Sequence, residues 1–346
     1  MDDIARLDPG DRTDLFRAAA EVKGVRLQIV EKDFWICWML KHLFTLEQPT
    51  PRLWFKGGTS LSKVYSVLER MSEDIDLVID RTDLGFTAGS DPGAPAITGK
   101  ERRRRIEELK RRAAVCVADA LATAVRERLR EVLGDTRSWR LETDVSIVDN
   151  PRLLFHYPNR QTDHTYLKPL IMLEFGARGS IAPSVTGSVM PYVAELLPQH
   201  CEHPRATVRA ISAERTFLEK VTILHALAHR GIARSRPFRQ SRHFYDVYRL
   251  WKSGFGRRAA EDGALLTDVV EHKCIFYRDP RAHYDLALRG GLRLVPPSDV
   301  MGALRSDYRE MCEVMVFGDP PGLAEVVDVL REIERHVNGR NAANGS

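Results

Sequence analysis

The sequence predicts an α+β protein, in which a domain with a mixed sheet and helices is followed by a mostly helical domain. Short runs rich in branched apolar residues, at 53–55 and 74–80, lie between segments with helical periodicity. From about Ala206 the pattern is helical almost to the end of the chain. We therefore expect an α/β domain at 1–205 and a helical domain at 206–346.

The individual elements follow from apolar spacing and from turn residues. In the second of two N-terminal helices, apolar residues recur at helical spacing from Ile29 to Leu43. A loop rich in Gly and Pro (85–100) precedes a long helix that Gly134 is placed to end, so residues 85–140 form a basic helical insertion. The predicted order is two helices in 11–46, a strand at 53–55, a helix through Leu61, Val64 and Leu68, a strand at 74–80, the loop, the long helix, and strands at 140–148 and 166–175.

The composition argues against several classes of protein. The 346 residues are 43% hydrophobic and carry a net charge of +4, as in ordinary globular proteins. No apolar run reaches transmembrane length and the N-terminus does not look like a signal peptide, so we expect a cytoplasmic protein with no membrane partner. Five scattered cysteines without a CxxC pair argue against a disulfide framework or a zinc ribbon.

Basic residues are concentrated in two segments. Residues 100–140 hold 13 Lys and Arg against 7 Asp and Glu, and residues 230–252 hold 7 basic residues against Asp246 alone. Such segments predict a surface for an anionic partner. A solvated helix face explains the same charges equally well. The candidate RNA contacts are Arg102, Arg104 and Arg105.

The segment FKGGTSLSKVYSVLERMSEDIDLVID, residues 55–80, is the most informative part of the chain. Gly57 and Gly58 let the backbone approach a phosphate, and the following helix presents its N-terminal N–H groups to the same phosphate. Thr59 and Ser60 add hydroxyl donors, and Lys63 adds a positive charge. The segment therefore predicts a nucleotide-binding turn.

Asp74 and Asp76 lie two residues apart on the strand that ends this segment. Side chains at i and i+2 of a strand point to the same face, so the carboxylates converge while Ile75 points into the core. Neighbouring carboxylates repel each other unless a cation lies between them, and they suit Mg²⁺ that is also bound to substrate phosphates. The pair predicts a magnesium site.

The order of strand, glycine turn, helix and Asp-x-Asp strand resembles the polymerase-β nucleotidyltransferase signature. The interval between Thr59 and Asp74 holds 14 residues, longer than in generic relatives of that group. More narrowly, the chain resembles the AbiEii/AbiGii toxin family of nucleotidyltransferases over nearly its whole length except 85–140. The segments that carry this resemblance are 29–40, 55–77, 167–179, 214–227, 241–250, 272–279 and 294–311.

This resemblance implies a polymerase-β-like domain and further site residues. It points to Glu174 as a third carboxylate, although Glu142 and Asp144 are spaced for an adjacent strand, and Glu174 is preferred over Asp144. It also implies that Lys220 contacts the triphosphate and that Asp246 orients Lys220.

Structural alternatives for the last two residues stay open. Lys220 can lie along an apolar stripe with only its ammonium in solvent, and Asp246 can form a helix ion pair with Arg242 or Arg249. Residues 31–33 are expected to position the first motif by hydrogen bonding.

The predicted reaction is nucleotidyl transfer with two Mg²⁺ ions held by Asp74, Asp76 and Glu174. The family resemblance implies a nucleoside triphosphate as donor, an RNA acceptor such as the 3′ end of a tRNA, and a cognate antitoxin as partner. One alternative is transfer to a protein hydroxyl. Another is a nucleotide- and RNA-binding module without turnover.

Overall fold

The computed structural model of the protein describes residues 1–47, 50–135, 138–159, 168–230 and 240–344. It divides into two compact units. The first unit comprises Met1–Val64 and Ser72–Ala210, and the second comprises Tyr65–Met71 and Ile211–Ser346. A mixed sheet in the first unit and helices throughout confirm the α+β class.

The first unit is built on a seven-stranded sheet with the order β3-β4-β5-β2-β1-β7-β6. The pairs β2–β5 and β1–β7 are parallel, whereas β1–β2, β3–β4 and β4–β5 are antiparallel. The strands are β1 Leu53–Lys56, β2 Asp74–Ile79, β3 Arg140–Asp144, β4 Arg152–His156, β5 Leu170–Gly176, β6 Ser184–Val189 and β7 Ala206–Ile211.

Two-residue periodicity gives the central strands one apolar face and one polar face. In β5, Leu173 and Phe175 are fully buried while Glu174 between them is half-buried. In β2, Ile75 is fully buried while Asp74 and Asp76 are half-exposed. Apolar side chains thus hold one face of the sheet in the core and leave carboxylates on the other.

The helices of the first unit include the two that the N-terminal pattern predicts. The central one, α3, is apolar on most sides and buries both Trp35 and Trp38 completely. The long predicted helix is continuous through a π-helical turn at Val117–Leu121, and Gly134 ends it with a φ of 76°. The helices are α1 Asp2–Arg6, α2 Pro9–Lys23, α3 Leu27–Leu43, α4 Gly57–Lys63, α5 Gly99–Cys116, α6 Ala122–Leu133 and α7 Tyr192–Leu196.

The second unit is helical around a core that includes the stacked rings of Phe217 and Trp251. The segment Tyr65–Met71 joins it through backbone hydrogen bonds, since the Met71 N–H donates to the Met315 carbonyl. The helices are α8 Ala213–Arg230, α9 Ser241–Lys252, α10 Phe255–Glu261, α11 Gly263–Phe276, α12 Met301–Met315 and α13 Leu323–Asn344.

Three sequence predictions about elements were wrong or incomplete. The helix expected to run through Leu68 ends at Lys63, and Ser66 has a φ of 54°, which no α-helix accommodates. Strands β4 and β6 were missed, and β7 occupies Ala206–Ile211, where helix was expected. Strand β7 was missed because its alternation of buried and exposed residues extends over only six residues. Residues 166 and 167, at the start of the predicted strand 166–175, lie outside the described residues.

Candidate active site

A row of charged side chains crosses four strands of the sheet and extends to Lys56 at the end of a fifth. In the strand register Lys56 is opposite Asp76, Asp76 is beside Glu174, Glu174 is opposite Arg152, and Arg152 is opposite Asp144. Register partners share a face, and neighbouring strands are about 4.8 Å apart. Glu174 therefore lies one strand from Asp76, whereas Asp144 lies three strands away, at roughly 14 Å.

Two side chains of the β3–β4 hairpin hold the Glu174 carboxylate. The Arg152 guanidinium is 2.9 Å from Oε1, and the Asn150 amide donates to Oε2 over 2.9 Å. Asp144 instead accepts hydrogen bonds from the Ser146 amide and hydroxyl, which keep the pKa of this exposed carboxyl below its usual range. Of the two candidates for the third carboxylate, Glu174 is the one beside Asp76.

The glycine turn is shaped around Asp76. Gly57 has a φ of 80°, and a Cβ at this position would lie 2.0 Å from Oδ2 of Asp76. Only glycine meets both requirements, since other residues rarely adopt this φ and any side chain would displace the carboxylate. The turn and the Asp-x-Asp strand are therefore in direct contact at Gly57.

The hydroxyls of the turn are buried within the protein. Thr59 donates a 2.5 Å hydrogen bond to the backbone carbonyl of Asp74, and both Thr59 and Ser60 are 2% exposed. Thr59 thus fixes the start of β2 through its hydroxyl. The buried positions of Thr59 and Ser60 differ from the phosphate contacts that we expected of them.

Lys63 is directed at α3. Its ammonium is 2.7 Å from Oδ1 of Asp33 and 4.0 Å from the ring centre of Tyr192. Burial opposes the charged form, but the Asp33 carboxylate outweighs it and raises the pKa of Lys63 above its usual range. The positive charge that we expected Lys63 to offer a phosphate is thus paired with Asp33. Lys32, 2.9 Å from Glu73, likewise links α3 to the motif.

A second cluster of charged side chains lies in the second unit and contains Lys220 and Asp246, the two site residues predicted there. Asp246 is fully buried, its two oxygens lie 2.7 and 2.8 Å from the Arg70 guanidinium, and Oδ2 is 2.8 Å from the Lys220 ammonium. Burial alone would raise the pKa of Asp246, but Arg70 and Lys220 hold it well below its usual range. The expected orientation of Lys220 by Asp246 is observed. Arg249 pairs instead with Glu69, at 2.7 Å.

The arginines proposed as RNA contacts are largely engaged. Arg102 donates to the carbonyls of Pro92 and Ala94, and Arg105 to those of Gly89 and Asp91, so both hold the 85–98 loop. Arg104, the exposed member, is 2.8 Å from Glu101. In the second basic segment, residues 231–239 lie outside the described residues.

Sequence reasoning missed three residues of these clusters, Asn150, Arg152 and Arg70. Arg152 and Asn150 belong to a hairpin whose second strand was not predicted, so their register with Glu174 was not available. Arg70 follows the first motif in a segment without helical or strand periodicity. A search for basic residues at the start of a strand paired with the Glu174 strand would have found Arg152.

No group of three or more His, Cys, Asp or Glu residues is gathered as a metal site in the described part of the chain. Asp74 and Asp76 on one face, with Glu174 on the next strand, nevertheless fit Mg²⁺. This ion takes one or two carboxylates and completes its shell with water and substrate phosphates.

Comparison with known proteins identifies the group to which the chain is related. The family model for the nucleotidyl transferase AbiEii toxin of type IV toxin–antitoxin systems matches residues 38–332. The chain belongs to this family. It is therefore a nucleotidyltransferase of the AbiEii toxin family, whose members act in type IV toxin–antitoxin systems. The match begins within α3, so most of the segment 29–40 lies outside it.

A search of curated proteins found no match. Among solved structures, the chain is similar to MenT4, a nucleotidyltransferase toxin from Mycobacterium tuberculosis H37Rv, with 15% identity and a TM-score of 0.41. The alignment covers 93% of this chain and 97% of MenT4. At this level of likeness no residue role is carried from MenT4 to this chain. Among the residues that the structure describes, no helix combines the length and the apolarity that crossing a membrane requires.

Proposed function

We propose that this AbiEii-family toxin is a Mg²⁺-dependent enzyme that transfers nucleotides from a nucleoside triphosphate to the 3′ end of an RNA, with tRNA as the acceptor class. The observation that carries the proposal is the placement of Asp74, Asp76 and Glu174 on one half-exposed face, at a turn that Gly57 leaves open for the Asp76 carboxylate. Asp76 and Glu174 are register neighbours although their like charges repel, and a bound cation would offset that repulsion.

Each carboxylate has a distinct task in the proposed site. Asp74 and Asp76 would be the metal ligands, with two Mg²⁺ ions as the expected complement. Bound Mg²⁺ would neutralise triphosphate charge and lower the pKa of the attacking hydroxyl. Glu174, held by Arg152 and Asn150, would complete the set of carboxylates and accept the proton of that hydroxyl.

The transfer itself is an in-line displacement. The acceptor hydroxyl oxygen forms a bond to the α-phosphorus, the bond from this phosphorus to the bridging oxygen breaks, and pyrophosphate leaves with the electron pair. Gly57 and Gly58 keep the backbone open for the close approach of the triphosphate. Thr59 and Ser60 are proposed to shape the nucleotide turn from inside, because their side chains are buried.

Lys220 remains our proposed phosphate-binding cation. The cluster that holds it contains two positive side chains, Lys220 and Arg70, against the single carboxylate of Asp246. Asp246 fixes the Lys220 ammonium, and two cations gathered at one place favour an anionic ligand. Lys63, by contrast, is balanced by Asp33 and is proposed only to anchor the motif.

A transfer assay tests the proposal. The purified protein is incubated with each α-labelled nucleoside triphosphate, Mg²⁺ and total RNA, and the products are separated by size. Label in the tRNA band that depends on Mg²⁺ and disappears with Asp76→Ala supports the proposal. Label in protein instead, or equal labelling by wild type and Asp76→Ala, contradicts it. A cognate antitoxin, which the family implies, should restore growth when co-expressed with the active toxin.

A further inference from the structure

We infer that a groove between α12 and α13 binds the sugar-phosphate backbone of the RNA acceptor. The inference rests on the proposed function, which supplies an RNA substrate, and adds the surface that holds it. The groove is a cavity of about 710 Å³ bounded by the two helices and by the turn at 320–322. We call this cavity the α12–α13 groove.

The rim of the groove is basic. Arg305 and Arg309 line it from α12 and Arg331 lines it from α13, and all three are exposed. Arg331 is 2.7 Å from Asp328, whereas Arg305 and Arg309 form no ion pair within the described ranges. The lining therefore carries three guanidinium groups and one carboxylate. Guanidinium groups bind phosphate oxygens through two parallel hydrogen bonds, so an anionic ligand is favoured.

The floor of the groove is apolar and fixed. Tyr308 and Val327 are each 5% exposed, and the Tyr308 hydroxyl donates to the Pro321 carbonyl over 2.8 Å. A basic rim above an apolar floor suits single-stranded nucleic acid, because phosphates can follow the rim while the bases lie against apolar surface. The groove thus offers both kinds of contact that one RNA strand needs.

The spacing of the rim arginines also favours a nucleic acid. Arg305 and Arg309 are four residues apart on α12, so their side chains start about 6 Å apart on one face of the helix. This spacing is comparable to that of neighbouring phosphates in an extended single strand. A regular polyanion can therefore meet both guanidinium groups without a change in the helix.

The arginines of α5 are a less favourable surface, although the sequence draws attention to them. Arg104 and Arg111 lie 2.8 and 2.7 Å from Glu101 and Glu108, respectively. A phosphate at α5 would have to displace a carboxylate that is already in place. At Arg305 and Arg309 no described carboxylate competes with it.

Binding of fluorescein-labelled, unfractionated tRNA tests the inference directly by fluorescence anisotropy, without nucleotide. The variant is Arg305→Glu with Arg309→Glu, and the matched control is Arg104→Glu with Arg111→Glu, which changes the net charge equally. Affinity falls with salt, and each phosphate contact to single-stranded nucleic acid adds about 0.7 to the steepness of log affinity against log salt. Losing two contacts should therefore make the dependence shallower by roughly 1.4. The control should keep the wild-type slope. Arg305→Gln with Arg309→Gln, checked by thermal melting, guards against misfolding of the reversed variant.

The inference is overturned if the groove variant binds tRNA like the wild type, if the control loses as much affinity, or if the wild type binds no tRNA. Anisotropy with a labelled polyglutamate peptide adds a second comparison. A groove variant that keeps tRNA binding but loses binding of this peptide would indicate an acidic protein partner and would also overturn the inference. Failure of the proposed function is a separate result. In that case the wild type transfers label to no RNA in the transfer assay. The anisotropy measurement can still detect tRNA binding at the groove, because it needs no turnover.

Discussion

Asp76 in the first unit and Asp246 in the second are aspartates in opposite surroundings. Asp76 is half-exposed and its neighbour on the next strand is another carboxylate, Glu174. Asp246 is fully buried and lies within hydrogen-bonding distance of two cations, Arg70 and Lys220. The difference separates two roles: we propose that Asp76 binds a cation from outside the chain together with Glu174, whereas Asp246 already has its cations and serves to hold them.

The largest expected effect tests the first half of this comparison. Asp76→Ala should lower the rate of transfer on the order of a thousandfold or more, because metal ligation contributes several kcal/mol to the transition state and each ~1.4 kcal/mol is tenfold. The melting temperature should hardly change, since the side chain is half-exposed. Single-turnover kinetics and thermal melting measure the two quantities. Near-normal turnover would remove Asp76 from the mechanism.

The opposite pattern is expected for Asp246. Asp246→Ala leaves Arg70 and Lys220 without their carboxylate in a buried site, which should cost about 3–5 kcal/mol of unfolding free energy. Urea denaturation followed by circular dichroism measures the loss. A change below about 1 kcal/mol, the range of exposed pairs, would show that the cluster is open to solvent.

Acid should reveal the same cluster. Because the pKa of Asp246 in the folded protein lies below its ordinary value of 3.8, its contribution to stability is complete above that pH. The contribution is lost as the pH falls below 3.8 toward the lower pKa of the folded state. The acid slope of stability should therefore be shallower in Asp246→Ala than in the wild type, and equal slopes would contradict the ion pairing.

The next largest loss of turnover is expected from a change to the third carboxylate, Glu174. Glu174→Gln should lower turnover by about 100-fold or more, the range for loss of a general base, and should spare binding of the metal–triphosphate complex. Asp144→Asn is the matched control, because it lies on the same charged row three strands from Asp76. Full activity of Glu174→Gln together with an inactive Asp144→Asn would reverse the assignment.

A smaller effect concerns the turn beneath Asp76. Gly57→Ala introduces a residue at a φ of 80° and a Cβ at the position of the Asp76 carboxylate. The backbone conformation alone costs about 1–2 kcal/mol, and the displaced carboxylate should lower turnover as well. Gly89→Ala, where an added Cβ meets nothing within 4 Å, is the control. Equal activity and stability of the two variants would show that the turn relaxes freely.

Local patterns were sufficient to predict part of the molecule. The alternation of β2 predicted that Asp74 and Asp76 share a face, and paired glycines predicted the turn at Gly57. Interactions between distant segments could not be predicted from such patterns. The burial of Lys63 depends on Asp33 in α3, and the fixation of Glu174 depends on Arg152 across a strand pair. In each case a charged residue that the sequence predicts to contact a ligand has a charged partner from a distant segment of the chain.

Binding of Mn²⁺ in the presence of a non-hydrolysable nucleoside triphosphate, followed by electron paramagnetic resonance, tests the central claim most directly. The comparison is between wild type, Asp76→Asn and Asp144→Asn, which keep the shape of each side chain and remove its charge. The account predicts that Asp76→Asn loses Mn²⁺ binding at concentrations that saturate the wild type, while Asp144→Asn binds normally. Equal binding by wild type and Asp76→Asn would contradict a metal site at the Asp-x-Asp strand.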